Sequence, residues 1–278
     1  MKPLLFGTAG IPLITKSRNT INGIREVRNL NLDVMELEFV RGVNISTKTA
    51  DNVREISKKN NVVLTAHCPY YINLNAGSED KINAGIEMIL QTARIAKECG
   101  ADSIVFHAAY YMKENKDRTY ENVLRALKNT GKILKNESND IWLRPETTGK
   151  KTQWGNIEEV IKISTELENV LPCIDFSHIH ARENGKFNSY DEFCEILEVI
   201  EKNLGKEALQ EMHIHVSGIA YGEKGEKKHL NLDESDLKYR ELIKALRDFN
   251  VNGVVISESP NIEEDAMKMK KIYEGYQS

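Results

Sequence analysis

The chain is poor in cysteine, proline and tryptophan, with four, six and two among 278 residues. Cys68, Cys99, Cys173 and Cys194 form no C-x-x-C pair. They read as free thiols in a reducing compartment, so a cytoplasmic protein is expected. No apolar run approaches the roughly 20 residues that cross a bilayer, and the N-terminal MKPLLFGTAGIPLI is broken by Gly and Pro. No membrane partner is expected. Net charge is −4, so no global positive excess announces nucleic acid, and such binding must be argued from a local patch. The first loop, GTAGIP, lacks the G-x-G-x-x-G spacing of a dinucleotide fold. No linker or low-complexity tract divides the chain, so residues 1–278 are expected to form one domain.

What the chain has instead is regular alternation. Short runs rich in Val, Ile, Leu and Phe predict strands at about 4–8, 34–40, 62–67, 103–108, 141–146, 171–175, 212–217 and 253–258. Amphipathic stretches between them predict helices at about 19–30, 46–60, 78–99, 118–135, 156–168, 188–203, 234–249 and 262–275. In the clearest helix Ile82, Ile86, Ile89, Leu90, Ala93 and Ala96 share a stripe, with Ser78 placed as N-cap and Gly100 as C-terminal stop. Eight strand–helix repeats favour an α/β fold, a single (β/α)₈ TIM barrel, over a doubly wound open sheet.

Six of the seven histidines stand at or just past strand ends: His67, His107, His178, His180, His213 and His215. Glu146, Asp175 and Glu258 occupy the same place in other strands. In a barrel the C-terminal ends of all eight strands meet at one mouth. Glu146, Asp175, His213 and Glu258 would there offer three carboxylates and an imidazole to Zn²⁺ or Mn²⁺. Crowded carboxylates repel one another, so a cation or protons must relieve them. His67 and His107 would add a second metal, with Glu146 as the shared bridge. His213 and His215 point to the same side of their strand, so either qualifies as the ligand. Cys68 and Cys173 adjoin these residues and read as small buried side chains. His180 reads as structural. The segment SGIAYGEKGEKKHL carries Lys224, Lys227, Lys228 and His229; without His229 it would read equally as a flap over the site or as a mobile surface loop.

At these residues the chain resembles the endonuclease IV family of apurinic/apyrimidinic endonucleases. The matching segments are AHCPYYINLNAG at 66–77, VFHAA at 105–109, RPETTGKKTQWG at 144–155, CIDFSH at 173–178, MHIH at 212–215, KKHL at 227–230 and SESP at 257–260. The resemblance implies a zinc-dependent phosphodiester hydrolase that cleaves double-stranded DNA at abasic sites, acting as a monomer. By position, His67, His107 and Glu146 would hold one zinc, and Glu146, Asp175, His213 and Glu258 a second. On that resemblance Glu146 would be the catalytic bridge. His178 and His229 would hold a third, which the family completes with an aspartate two residues before the last histidine. This chain has Lys227 there, and Glu226 is out of register, so two ions are expected and the third site is incomplete. Tyr70 and Tyr71 stand where the family wedges side chains into DNA beside a flipped nucleotide, and Arg41 is a further DNA-contact candidate.

The alternative is a sugar isomerase or epimerase on a related barrel, needing only the Glu146, Asp175, His213 and Glu258 quartet around one metal. His67 with His107 distinguishes the two, since a one-metal epimerase has no use for that pair. A third reading is a metal-binding paralogue without nuclease activity, motivated by Lys227.

Overall fold

The computed structural model describes residues 4–275. The elements run β1 (Leu4–Ala9), α1 (Thr20–Asn29), β2 (Val34–Glu38), α2 (Thr47–Asn60), β3 (Val63–His67), α3 (Glu79–Cys99), β4 (Ser103–Phe106) and β5 (Ala109–Tyr110). They continue with α4 (Lys116–Asn136), β6 (Trp142–Pro145), β7 (Gln153–Trp154), α5 (Ile157–Glu166), β8 (Cys173–Asp175), α6 (Phe176–Arg182), α7 (Tyr190–Leu204) and α8 (Lys206–Leu209). Last come β9 (Met212–Val216), β10 (Gly218–Gly222), β11 (Gly225–Leu230), α9 (Tyr239–Asp248), β12 (Gly253–Ser257) and α10 (Glu263–Gly275).

Eight strands form one parallel sheet in the order β6-β4-β3-β2-β1-β12-β9-β8. Parallel bridges Leu143↔Val170 and Glu146↔Cys173 bring its two edges together and close the ring. The helices cover the outside, as parallel strands require when both faces are buried. The expected barrel is therefore the observed one, and each expected strand lies within a few residues of a barrel strand.

Local chemistry explains the helix limits. Ser46, Asn156 and Ser189 each accept a backbone N–H of the first turn, and Asn156 forms a full capping box with Glu159. Gly100 ends α3 in the left-handed conformation, with φ 82°. Ser78 has the extended backbone of an N-cap but makes no side-chain cap bond; Glu79 and Asp80 provide negative charge in that first turn.

Three departures matter for the site. The helix expected from residue 234 starts at Tyr239, because the Ser235 hydroxyl accepts the Ile219 N–H and holds this segment against β10. A seven-residue helix, α6, follows β8 directly, and Asp175 caps it by accepting the His178 N–H at 2.7 Å. The lysine-rich segment is not a free surface loop: it folds over the site as the antiparallel hairpin β10–β11, with His229 against His178. It docks on the loop after β6 through a Lys150↔Gly225 bridge and a Glu226 N–H bond to the Gly149 carbonyl.

Candidate metal centre

The strand ends bring together the histidines and carboxylates, with Glu146 in the middle. Glu146 leaves the end of β6 fully buried. Its Oε2 lies 3.2 Å from His67 Nε2 and 2.9 Å from His107 Nε2. Its Oε1 lies 3.1 Å from His178 Nδ1 and 3.4 Å from His215 Nδ1. One carboxylate thus faces two separate sets of imidazoles, one on each oxygen.

Three donor groups surround it, each with ligand atoms within 4.8 Å of one another: His67, His107 and Glu146; Glu146, Asp175, His215 and Glu258; and His178, His229 and Glu258. The second group corrects the sequence reading. His215, and not His213, joins the quartet, with Nδ1 3.3 Å from Glu258 Oε1. His213 lies one layer deeper in the barrel, where its Nδ1 meets Ser103 Oγ at 3.1 Å and its Nε2 sits 3.0 Å from Glu36 Oε2. The two point to the same side of β9, but only the later one reaches the mouth. His180 is structural, held by the Lys186 carbonyl and Asp236.

The donor set fits cations. His67 Nδ1 is 2.8 Å from the Cys68 carbonyl, which can only accept, so Nδ1 carries a hydrogen, and Nε2, 3.2 Å from Glu146 Oε2, is the nitrogen that shares a proton or a cation with that carboxylate. By the same reasoning His178 Nδ1 donates to the Thr147 carbonyl, and His229 Nδ1 to that of Glu258. Their Nε2 atoms then face each other at 3.2 Å. Two lone pairs at that distance repel unless a proton or a metal ion lies between them. Buried Asp175 Oδ2 and both ring nitrogens of His215 also lack aligned hydrogen-bond partners, as a donor set suited to a cation would.

Glu226 joins the last pair. Its oxygens lie 3.8 Å from His178 Nε2 and 3.9 Å from His229 Nε2. The hairpin register shifts between Ala220 and Tyr221, pairing Ala220 with Lys228 but Tyr221 with Glu226. Lys227 is thus the extra residue of a β-bulge. The bulge turns Glu226, three residues before His229, to the histidine's side, while the exposed Lys227 lies over Gly222. Glu226 is consequently not out of register, and the cation at 227 does not face the site. Gly149 makes the room: a Cβ there would stand 2.6 Å from Glu226 Cβ and 3.0 Å from His178 Cδ2.

Electrostatics match this crowding. Burial alone would raise Glu146, but the charges of His107 and His215 and bonds from His107 and His178 hold it well below the usual carboxylate range. Burial likewise opposes Glu258, yet His215 brings it down to about 2. Burial pushes Asp175 up to about 7, with His178 only partly offsetting it. Burial opposes both, yet His178 stands well above the usual imidazole value because of Asp175 and Glu146, and His215 because of Cys173, Glu258 and Glu36. Protons do here what a divalent cation can do instead.

Sequence reasoning missed Glu36 and Glu38. Both lie on β2, in the run VMELEFV. Glu36 is completely buried. Glu38 has an unpartnered buried Oε1, and burial pushes it up to about 8 despite the nearby charge of His67. Two carboxylates in an otherwise apolar strand were the available signal. Around the mouth, Tyr70 and Tyr71 are 52% and 69% exposed. The Tyr70 ring lies 5.4 Å from His67 and 6.2 Å from His107. Arg41 is exposed on the turn after β2. Lys150, Lys151, Lys224, Lys227 and Lys228 form an exposed basic rim where the hairpin meets the β6–β7 loop.

Residues 24–274 match the family model of the xylose isomerase-like TIM barrel, and the chain belongs to that family. It is 46% identical to an uncharacterized protein of Methanocaldococcus jannaschii over 270 residues, 97% of each chain. It is 25% identical to a probable endonuclease 4 of Mycoplasma pneumoniae over 203 residues, covering 71% of this chain and 68% of that one. Among solved structures, endonuclease IV from Thermus thermophilus superposes with a TM-score of 0.72 at 18% identity, over 97% of this chain and 98% of the other. A D-tagatose 3-epimerase-like protein superposes at 0.74 and 20% identity, over 97% of both. The fold is thus shared by nuclease and epimerase alike. Among the described residues no helix is long and apolar enough to cross a membrane.

Proposed function

We propose that this protein is a zinc-dependent phosphodiester hydrolase of the endonuclease IV type, acting at abasic sites in double-stranded DNA. The observation that carries this reading is Glu146, whose two oxygens face His67 and His107 on one side and His178 and His215 on the other. A one-metal sugar epimerase has no use for the His67–His107 arm. Mn²⁺ suits the carboxylate-rich quartet equally on donor chemistry.

His67, His107 and Glu146 would hold one ion; Glu146, Asp175, His215 and Glu258 a second; His178, His229 and Glu226 a third. When bound, such ions polarise the phosphoryl group and stabilise charge on attacking and leaving oxygens. Glu146, already held in its ionised form by the surrounding imidazoles, would be the ligand shared by the first two ions. Backbone carbonyls fix the ring faces of His67, His178 and His229, so their lone pairs are aimed in advance. Tyr70 and Tyr71 offer aromatic faces to replace base stacking lost at a flipped nucleotide. The lysine rim supplies phosphate contacts that the overall charge of −4 does not.

The test is a synthetic duplex carrying one abasic site, incubated with zinc-loaded protein. Nicking on the 5′ side, abolished by a chelator, is expected. Interconversion of ketohexoses without any nicking would transfer the case to the epimerase reading.

A further inference from the structure

The metal-facing histidine of β9 has a partner beneath it that the proposed reaction does not use directly. Glu36 Oε1 lies 3.0 Å from His215 Nε2, and Glu36 Oε2 lies 3.0 Å from His213 Nε2. All three side chains are buried. The Thr65 hydroxyl donates to Glu36 Oε2 at 2.7 Å and fixes the carboxylate from β3. Ser103 Oγ, 3.1 Å from His213 Nδ1, fixes the second ring from β4. Glu36 therefore bears against two imidazoles on β9 while tied to neither ring's mouth-facing side.

We infer that Glu36 is a positioning residue, which keeps the hydrogen of His215 on Nε2 so that Nδ1 presents its lone pair to the cation of the quartet. A buried carboxylate can stabilise an N–H pointed at it and repels a lone pair. Nε2 sits 3.0 Å from that carboxylate without an aligned hydrogen bond, and Nδ1, 3.3 Å from Glu258 and 3.4 Å from Glu146, is the nitrogen left for the ligand role. His213 offers its Nε2 to the same carboxylate and has no nitrogen at the mouth. This arrangement accounts for the choice of His215 over His213 as ligand. It also assigns the close grouping of Cys173, His213 and His215 to support of the quartet and not to a metal of its own.

The inference rests on the metal reading proposed above. The experiment is zinc titration of wild type and Glu36→Ala, with the His215 ring nitrogens followed by ¹⁵N NMR in the zinc-loaded state. Loss of such a carboxylate partner is expected to weaken the quartet's ion about 10- to 100-fold, with the ion at His67 and His107 changed far less. The His215 spectrum should move from one tautomer to a mixture. Should the alanine variant fail to fold, Glu36→Gln keeps the volume and one accepting oxygen, and an intermediate loss of affinity is expected. Equal zinc affinity and an unchanged His215 spectrum in either folded variant would overturn the inference. So would loss of an additional ion in His213→Gln, which would mark a separate site at Cys173. If wild type holds no divalent ion, the metal reading itself falls, an outcome distinct from a wild type that binds ions while Glu36 proves indifferent.

Discussion

The two ends of the centre are built differently. The inner end, His67, His107, Glu146, Asp175, His215 and Glu258, projects from barrel strands or the residues just past them. The outer end, His178, His229 and Glu226, sits on a seven-residue helix and a bulged hairpin. Strand ends in a closed barrel have no freedom to move apart without breaking the ladder. The outer end depends on one extra residue in β11 and on the absence of a side chain at Gly149. Rigidity is therefore inherited at the inner end and assembled from local devices at the outer one.

The largest effect that separates the ends should come from the residue that serves the inner one twice. Glu146→Gln removes the charge between two imidazole sets, and an amide is a poor bridge. Metal content should drop by at least one ion per chain and turnover by about 100-fold or more, with the circular dichroism of the barrel retained. Wild-type metal content and turnover in this variant would sink the bridging role.

Next in size is a direct contrast between ends. His107→Ala should cost more metal affinity than His229→Ala, since His107 lies 2.9 Å from the shared Glu146 and His229 does not touch it. Equilibrium dialysis of both variants checks this, and the reverse order would contradict the comparison.

A smaller and sharper contrast concerns neighbouring hairpin residues. Glu226→Gln should weaken the outermost ion about 10-fold, whereas Lys227→Asp should leave it within about twofold, because the bulge turns residue 227 away. If Lys227→Asp instead raises occupancy and Glu226→Gln does nothing, the hairpin register described above is wrong.

The smallest effect is a pH dependence. Glu38 and Asp175 are pushed up to about 8 and about 7 by burial, and His67 up to about 10 as Glu146 and Glu38 outweigh burial. From pH 6.5 to 8 these groups hold more protons folded than unfolded, so the chelated protein should lose stability as pH rises. His213, lowered to about 4 by burial, acts oppositely but only below its ordinary value of 6.5. Melting temperatures with and without zinc should diverge across that window, the loaded protein gaining. Parallel curves would show that protons and cations do not compete there.

The inner end was largely legible in the sequence because its signal is periodic. A polar residue closing an apolar run marks a strand end, and the barrel supplies convergence. The exception, His213 against His215, is two residues on one face, and depth along a strand is not encoded in periodicity. Glu36 and Glu38 were overlooked because the apolar pattern of β2 swallowed them. The outer end was half legible. His178 and His229 were found, but a bulge leaves no mark in hydrophobic pattern, and Lys227 stood where a carboxylate was sought. Helix α6 was missed because seven residues hold too few turns to show a period.

The central claim, a centre of several ions organised about Glu146, is tested most directly by the metal-to-chain ratio of zinc-loaded protein after exhaustive dialysis. Three ions per chain are expected, falling to two in Glu226→Gln. A ratio of one in the wild type, unchanged by substitution of His67 or His107, would contradict it.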